Sequence, residues 1–110
     1  MNVQRQELLG HLEAYYRGCG WPVRRDADGT VRAEGPGSVT WIGLAVVPDD
    51  LGDETFSKRL LDLADVRMRT GERCPLELLP AAECEDELRR LLAQLRLIDR
   101  VPVYALAPAA

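Results

Sequence analysis

Histidine is almost missing from this chain: His11 is the only one in 110 residues. A tetrahedral zinc site would need it brought together with Cys19, Cys74 and Cys84, which stand far apart without a CxxC pair. No cofactor is therefore expected. Three cysteines also leave one thiol over in any disulfide framework, and reduced thiols in a cytoplasmic protein are the simpler expectation. No run approaches the roughly 20 apolar residues of a membrane span. The opening "MNVQRQELLGHLEAYY" lacks the uninterrupted apolar region of a signal sequence. Positive charge is not in excess either. Fourteen Lys and Arg face 18 Asp and Glu, a net charge of −4, which disfavours a general nucleic-acid coat while leaving room for a local basic face. Aromatics are few, and most of Trp21, Trp41, Tyr15, Tyr16, Tyr104 and Phe56 fall on core-facing positions, so little is left to stack on bases.

What is there is an ordinary globular composition. Hydrophobic residues make up 46% and charged residues 29% of a length that suits one domain, residues 1–110, able to bury a core without staples. Leu8, Leu12, Tyr15, Tyr16 and Cys19 recur at steps of three and four, predicting an amphipathic helix from about Val3 to Cys19 that Pro22 stops. Two short strands, Val23–Arg25 and Thr30–Glu34, are expected around an Asp28-Gly29 turn with both residues at positive φ. The near-continuous apolar run Val39–Val47 suits a central strand. Gly43 inside it marks a bulge or a close helix approach.

A second helix is predicted from Asp53 to about Thr70, with Phe56, Leu60, Leu63, Ala64 and Met68 inward. "CPLELLP" reads as a short strand or an extended link. A third helix begins at Pro80, acids first and Arg96 and Arg100 last, as the helix macrodipole favours; Leu88, Leu91, Leu92, Leu95 and Ile98 form its inner face. A strand from Val101 to Ala107 and a frayed "APAA" tail close the chain. The order predicts an α+β domain: an N-terminal helix, a three-stranded meander, two further helices and a C-terminal strand, forming a mixed sheet covered by helices mainly on one face.

Four acids, Asp49, Asp50, Asp53 and Glu54, follow the apolar strand, and the first three are the weak candidates for a metal site. A hard cation usually draws carboxylates from more than one element. These share one short stretch, and each has a local role at a strand end, a helix cap or the positive end of a helix dipole, so no metal is expected. No catalytic residue is assigned. There is no GxSxG, and His11 and Cys19, eight residues apart on one helix, would be about 12 Å apart along its axis.

In its order of elements (helix, three strands, helix, strand) the chain is similar to the core of restriction-endonuclease-like nucleases. That family carries an Asp on one strand and Glu-x-Lys on the next. Here Val39–Val47 holds no acid and no lysine, and Glu34 is followed by Gly-Pro-Gly. The resemblance implies a topology, at most a degenerate nuclease-like fold. The chain also resembles, in size, acidity and its helix–meander–helix opening, small dimeric chaperones of secretion systems that hold a segment of a partner protein.

Arg67, Arg69 and Arg73, beside Lys58 and Arg59, are the candidates for anion binding; a solvated helix face with pairs such as Glu54–Lys58 is the competing explanation. The leading expectation is a small cytoplasmic protein-interaction module, of adaptor, chaperone-like or inhibitor type, without catalytic activity. It would bind another protein, with a homodimer as one assembly and no membrane contact. The alternative is an anion- or nucleic-acid-binding protein using the Arg67–Arg73 face with the acids at 49–54.

Overall fold

The computed structural model describes residues 2–106; the "APAA" tail, and with it the end of the predicted final strand at Ala107, lies outside them. The domain is α+β. Helix α1 (Val3–Gly18) starts at Asn2, whose side chain accepts a hydrogen bond from the Arg5 amide at 2.9 Å, satisfying one of the donors a helix start leaves open. Strands β1 (Val23–Arg25), β2 (Val31–Gly35) and β3 (Val39–Val46) follow. Then come a single turn, α2 (Pro48–Leu51), α3 (Phe56–Ala64), β4 (Leu76–Pro80) and α4 (Glu85–Gln94).

The sheet runs β1-β2-β3-β4, an antiparallel meander with β4 added parallel to β3. The predicted C-terminal strand narrows to one parallel bridge, Leu78 with Val103. Leu78 N donates to Pro102 O at 2.9 Å and Tyr104 N to Leu78 O at 2.8 Å. Pro102 has no amide proton to extend the ladder.

Alternation along the strands assigns the two faces. Val31, Ala33, Gly43 and Ala45 share one face by register, and α1 lies across it with Leu8, Leu12 and Tyr16 buried. A Cβ on Gly43 would meet Tyr16 Oη at 3.0 Å and Leu12 Cδ2 at 3.3 Å. Pairing with Val31 is unbroken there, so Gly43 marks a close helix approach, not a bulge. The opposite face presents Ile42, Leu44, Val46, Leu76 and Leu78, all buried, and the remaining buried apolar stripes, Phe56, Leu60 and Leu63 of α3 and Leu88 and Leu92 of α4, cover it. Helices therefore flank both faces rather than mainly one. A strand buried on both sides, as β3 is, requires this.

Three local expectations change. At the first hairpin only Gly29 takes positive φ, at 82°. Gly29 N donates to Asp26 O at 3.1 Å and Asp26 N to Thr30 O at 2.8 Å, which makes a three-residue loop instead of a two-residue one. Pro80 ends β4 rather than opening a helix, and α4 begins at Glu85 after a turn at Ala82–Cys84. At its other end Arg96 takes φ 59°, with Leu97 N bonded to Leu92 O at 2.8 Å and Arg96 N to Ala93 O at 3.1 Å. This left-handed stop satisfies two open carbonyls. It turns Leu97 inward to 3% exposure and leaves Ile98 at 37%, reversing the predicted assignment.

Candidate functional site: an arginine-lined cleft

The predicted second helix stops at Ala64, well short of Thr70. From Val66 the chain folds back as a tight hairpin in which Arg67 bridges Arg73. Met68 N donates to Glu72 O and Cys74 N to Val66 O, both at 2.8 Å, and Gly71, at φ 89°, donates to Met68 O at 2.9 Å. The segment "VRMR" alternates apolar and charged residues. That is the period of a strand, and it was the signal against a helix.

This hairpin stands over the polar corner of the sheet and closes a cleft of about 390 Å³. One wall carries Arg24 of β1 and Arg32 of β2; the other carries Arg67, Arg69 and Thr70. Ser38 and Thr40, where β3 begins, line it too, with Val66, Met68 and Cys74 completing the lining. Ser38 takes φ 61°, an uncommon conformation outside glycine. Among the described residues no Asp or Glu lines the cleft.

The four guanidinium groups are held differently. Arg32 Nη2 donates to Asp28 Oδ2 at 2.7 Å and its Nε to Thr30 Oγ1 at 3.2 Å. Arg67 Nη1 donates to Gly71 O at 2.8 Å and its Nη2 lies 3.4 Å from Asp65. Arg24 only approaches Asp26 at 3.8 Å and Glu34 at 3.7 Å, beyond hydrogen-bond length. Arg69 forms no ion pair among the described residues. Burial alone would raise the pKa of Asp28, but hydrogen bonds from Thr30 and Arg32 outweigh it and hold the carboxyl below its ordinary value. Asp65 is likewise lowered, first by its hydrogen bond from Arg73 and then by the charge of Arg67. Burial pushes the Cys74 thiol up, so at neutral pH it stays protonated. The lining thus supplies cations and hydroxyl or thiol protons, and no group ready to accept a proton at neutral pH.

Of the three arginines singled out from sequence, Arg67 and Arg69 enter the cleft and Arg73 does not. Its Nε is bonded to Asp65 at 3.0 Å, and it lines a separate small hollow beside Arg100. Lys58 pairs with Asp62 at 2.8 Å rather than with Glu54, and Arg59 donates to Asp28 O at 2.6 Å. Arg24 and Arg32 were missed, because nothing local joins them to residues some forty positions on.

The acids at 49–54 stand apart from the cleft and from one another's chemistry. Asp50, 9% exposed, takes both ends of the Arg5 guanidinium at 2.9 and 2.8 Å and caps Val47 N at 2.9 Å. The Arg5 pKa is raised, chiefly by that hydrogen bond. Asp53 accepts from Thr55 N and Oγ1, both at 2.8 Å, which lowers its pKa. Asp49 and Glu54 are exposed. Among the described residues no group of three or more His, Cys, Asp or Glu side chains is placed to hold a metal ion, and no helix is long and apolar enough to cross a membrane.

A second polar cluster lies on the α1 face. Glu77 of β4, 3% exposed, accepts from Tyr16 Oη at 2.7 Å and from the Tyr104 hydroxyl. Both phenols are held protonated, first by burial and then by Glu77. Beside them His11, Tyr15, Leu79, Tyr104 and Leu106 line an apolar groove of about 420 Å³. Three cysteines are free thiols, Cys19 exposed and Cys74 and Cys84 buried.

No known family matches this chain, and neither does any curated protein or solved structure.

Proposed function

We propose that this protein is a binding module for an anionic ligand, and that Arg24, Arg32, Arg67 and Arg69 form its site. The observation that carries the reading is the lining itself: four arginines from three elements, with three hydroxyl-bearing residues and, among the described residues, no Asp or Glu, in a chain of net charge −4. Arg32 and Arg67 keep close carboxylates of their own, Arg24 holds two only at 3.7 and 3.8 Å, and Arg69 has none among the described residues, which leaves two arginines to meet an incoming anion. Arginine forks match the oxygens of phosphates and carboxylates.

The test is thermal unfolding in sodium phosphate against sodium chloride at equal ionic strength. A ligand that binds only the folded state stabilises it by about 2.7 kcal/mol at a hundred times its Kd. The expected result is a phosphate-dependent rise in Tm that Arg67→Glu/Arg69→Glu abolishes. Equal Tm in both salts would count against the reading.

A second reading, a protein-interaction module, has its own support. Tyr15, Tyr104 and Leu106, 55%, 38% and 47% exposed, gather at the apolar groove, where His11 is the sole basic residue and no acid is present. Two copies of an acidic chain could meet there without like charges opposed, so a second copy is the occupant to test. Sedimentation should then give a dimer that Leu106→Glu dissociates; a monomer at every concentration would remove this reading.

A further inference from the structure

The cleft's ligand can be narrowed by size and by the number of charged groups it presents, an inference that rests on the anion-binding reading above. We infer that the site takes a compact molecule carrying two linked phosphates, such as a free pyrophosphate or the diphosphate of a small metabolite, and not a nucleic-acid strand.

The first argument is the division of labour among the arginines. Arg32 and Arg67 are anchored, by Asp28 and Thr30 on one wall and by Gly71 O and Asp65 on the other. They supply fixed positive charge. Arg24 and Arg69 sit on those same two walls with their forks uncommitted: Arg24 keeps only contacts of 3.7 and 3.8 Å, and Arg69 has no ion pair among the described residues. Each can turn a bidentate fork onto a phosphate group at little cost in broken contacts. Two uncommitted forks, one from β1 and one from the hairpin, suit two linked phosphates.

The second argument concerns the surroundings. The acids nearest the cleft are the partners of its own arginines: Asp26 and Glu34 beside Arg24, Asp28 beside Arg32, and Asp65 beside Arg67. Carboxylates thus flank the cleft, with Arg59 on Asp28 O and Arg73 on Asp65 lying beyond them. A nucleic-acid strand carries a charge every few ångströms along its length and would run from the cleft onto these acids. A ligand small enough for about 390 Å³ stays inside. Among the described residues no aromatic side chain lines the cleft, which leaves no platform there on which a base could stack.

The experiment is isothermal titration of the whole chain with three probes at equal ionic strength: sodium pyrophosphate, sodium orthophosphate and a short oligothymidylate. The variants are Arg24→Gln, Arg69→Gln and, on the other side of the molecule, Arg17→Gln. The expected result is one-to-one binding of pyrophosphate, roughly tenfold or more tighter than orthophosphate, weakened roughly tenfold by Arg24→Gln or Arg69→Gln and unchanged by Arg17→Gln. Equal affinity for the two phosphates would overturn the two-phosphate assignment. Tighter binding of the oligonucleotide, still weakened by Arg24→Gln and Arg69→Gln, would overturn the compact ligand while leaving an anion site. If no probe binds, or Arg17→Gln weakens binding as much as the others, the anion site itself falls. Circular dichroism of each variant separates lost binding from lost fold.

Discussion

Two arginine–acid regions on opposite faces of the same sheet behave differently. On the α1 face, Arg5 and Asp50 meet in a two-pronged pair at 2.8–2.9 Å, with Asp50 also capping Val47 N. On the other face Arg24 keeps two acids at 3.7–3.8 Å and Arg69 has no ion pair among the described residues. The first pair has its geometry completed by the protein. The second group is left open, as a ligand site requires. Proximity of charge in the chain says little about either, since Asp50 lies next to Asp49 and its partner is forty-five residues away.

If that contrast is right, substitutions on the two faces should differ in kind. The largest effect is expected from Asp50→Ala, which leaves the partly buried Arg5 guanidinium without its carboxylate, with only the Ala45 carbonyl at 3.5 Å remaining, and uncaps Val47. Urea unfolding should show a loss of about 3 kcal/mol, and a loss below about 0.5 kcal/mol would make the pair ornamental. Gly43→Ala comes next, because its Cβ would press on Tyr16 Oη at 3.0 Å and Cε2 at 3.1 Å. Overpacking of this kind costs about 1–3 kcal/mol, read in the same assay; an unchanged midpoint would mean that α1 is free to shift outward.

A smaller effect is expected at Asp28, the anchor of Arg32. Its folded pKa is lower than its unfolded one, so it contributes stability that is fully present above the unfolded value, about 3.9, and lost as pH falls through the folded value. Because the side chain is largely exposed, the contribution at pH 7 should be roughly half a kcal/mol or less. Asp28→Asn should remove it and flatten the acid limb below about pH 4; an unchanged limb in pH-dependent melting would exclude the linkage. The smallest effect belongs to Arg24→Gln/Arg69→Gln. Stability should move by no more than about 0.5 kcal/mol while anion binding is lost. A large fall in Tm would assign these arginines to the fold instead of to a ligand.

Much of the architecture was legible because it is written in local periods. The stripe Leu8–Leu12–Tyr16 specified α1, the apolar run specified β3, and acids followed by leucines specified α4. The α+β class and the mixed sheet followed from their order. The error at residues 65–70 came from reading Met68 as a continuation of the α3 stripe; the alternation of "VRMR" was the stronger signal, and Gly71 at φ 89° closed the turn. Ile98 was assigned inward because nothing in its neighbours shows that Arg96 would take a left-handed conformation and shift the phase.

By itself, then, the sequence determined the cores of α1, α3, α4 and β3, since each carries enough apolar pattern to bury one side, but not the hairpin after Ala64 or the extent of the C-terminal strand. It placed Asp53 at the start of the second helix, which in the structure begins at Phe56, with Asp53 in the preceding turn accepting from Thr55 N. Tertiary structure alone decided the pairings: Asp50 with Arg5, Glu77 with Tyr16 and Tyr104, and Arg24 and Arg32 with Arg67 and Arg69 across one cleft. The physical reason is reach. A hydrophobic period is set by neighbours within a turn or two. Charges meet only after the sheet has set its register and a hairpin has been folded over its corner, and no local pattern records where those distant residues will arrive.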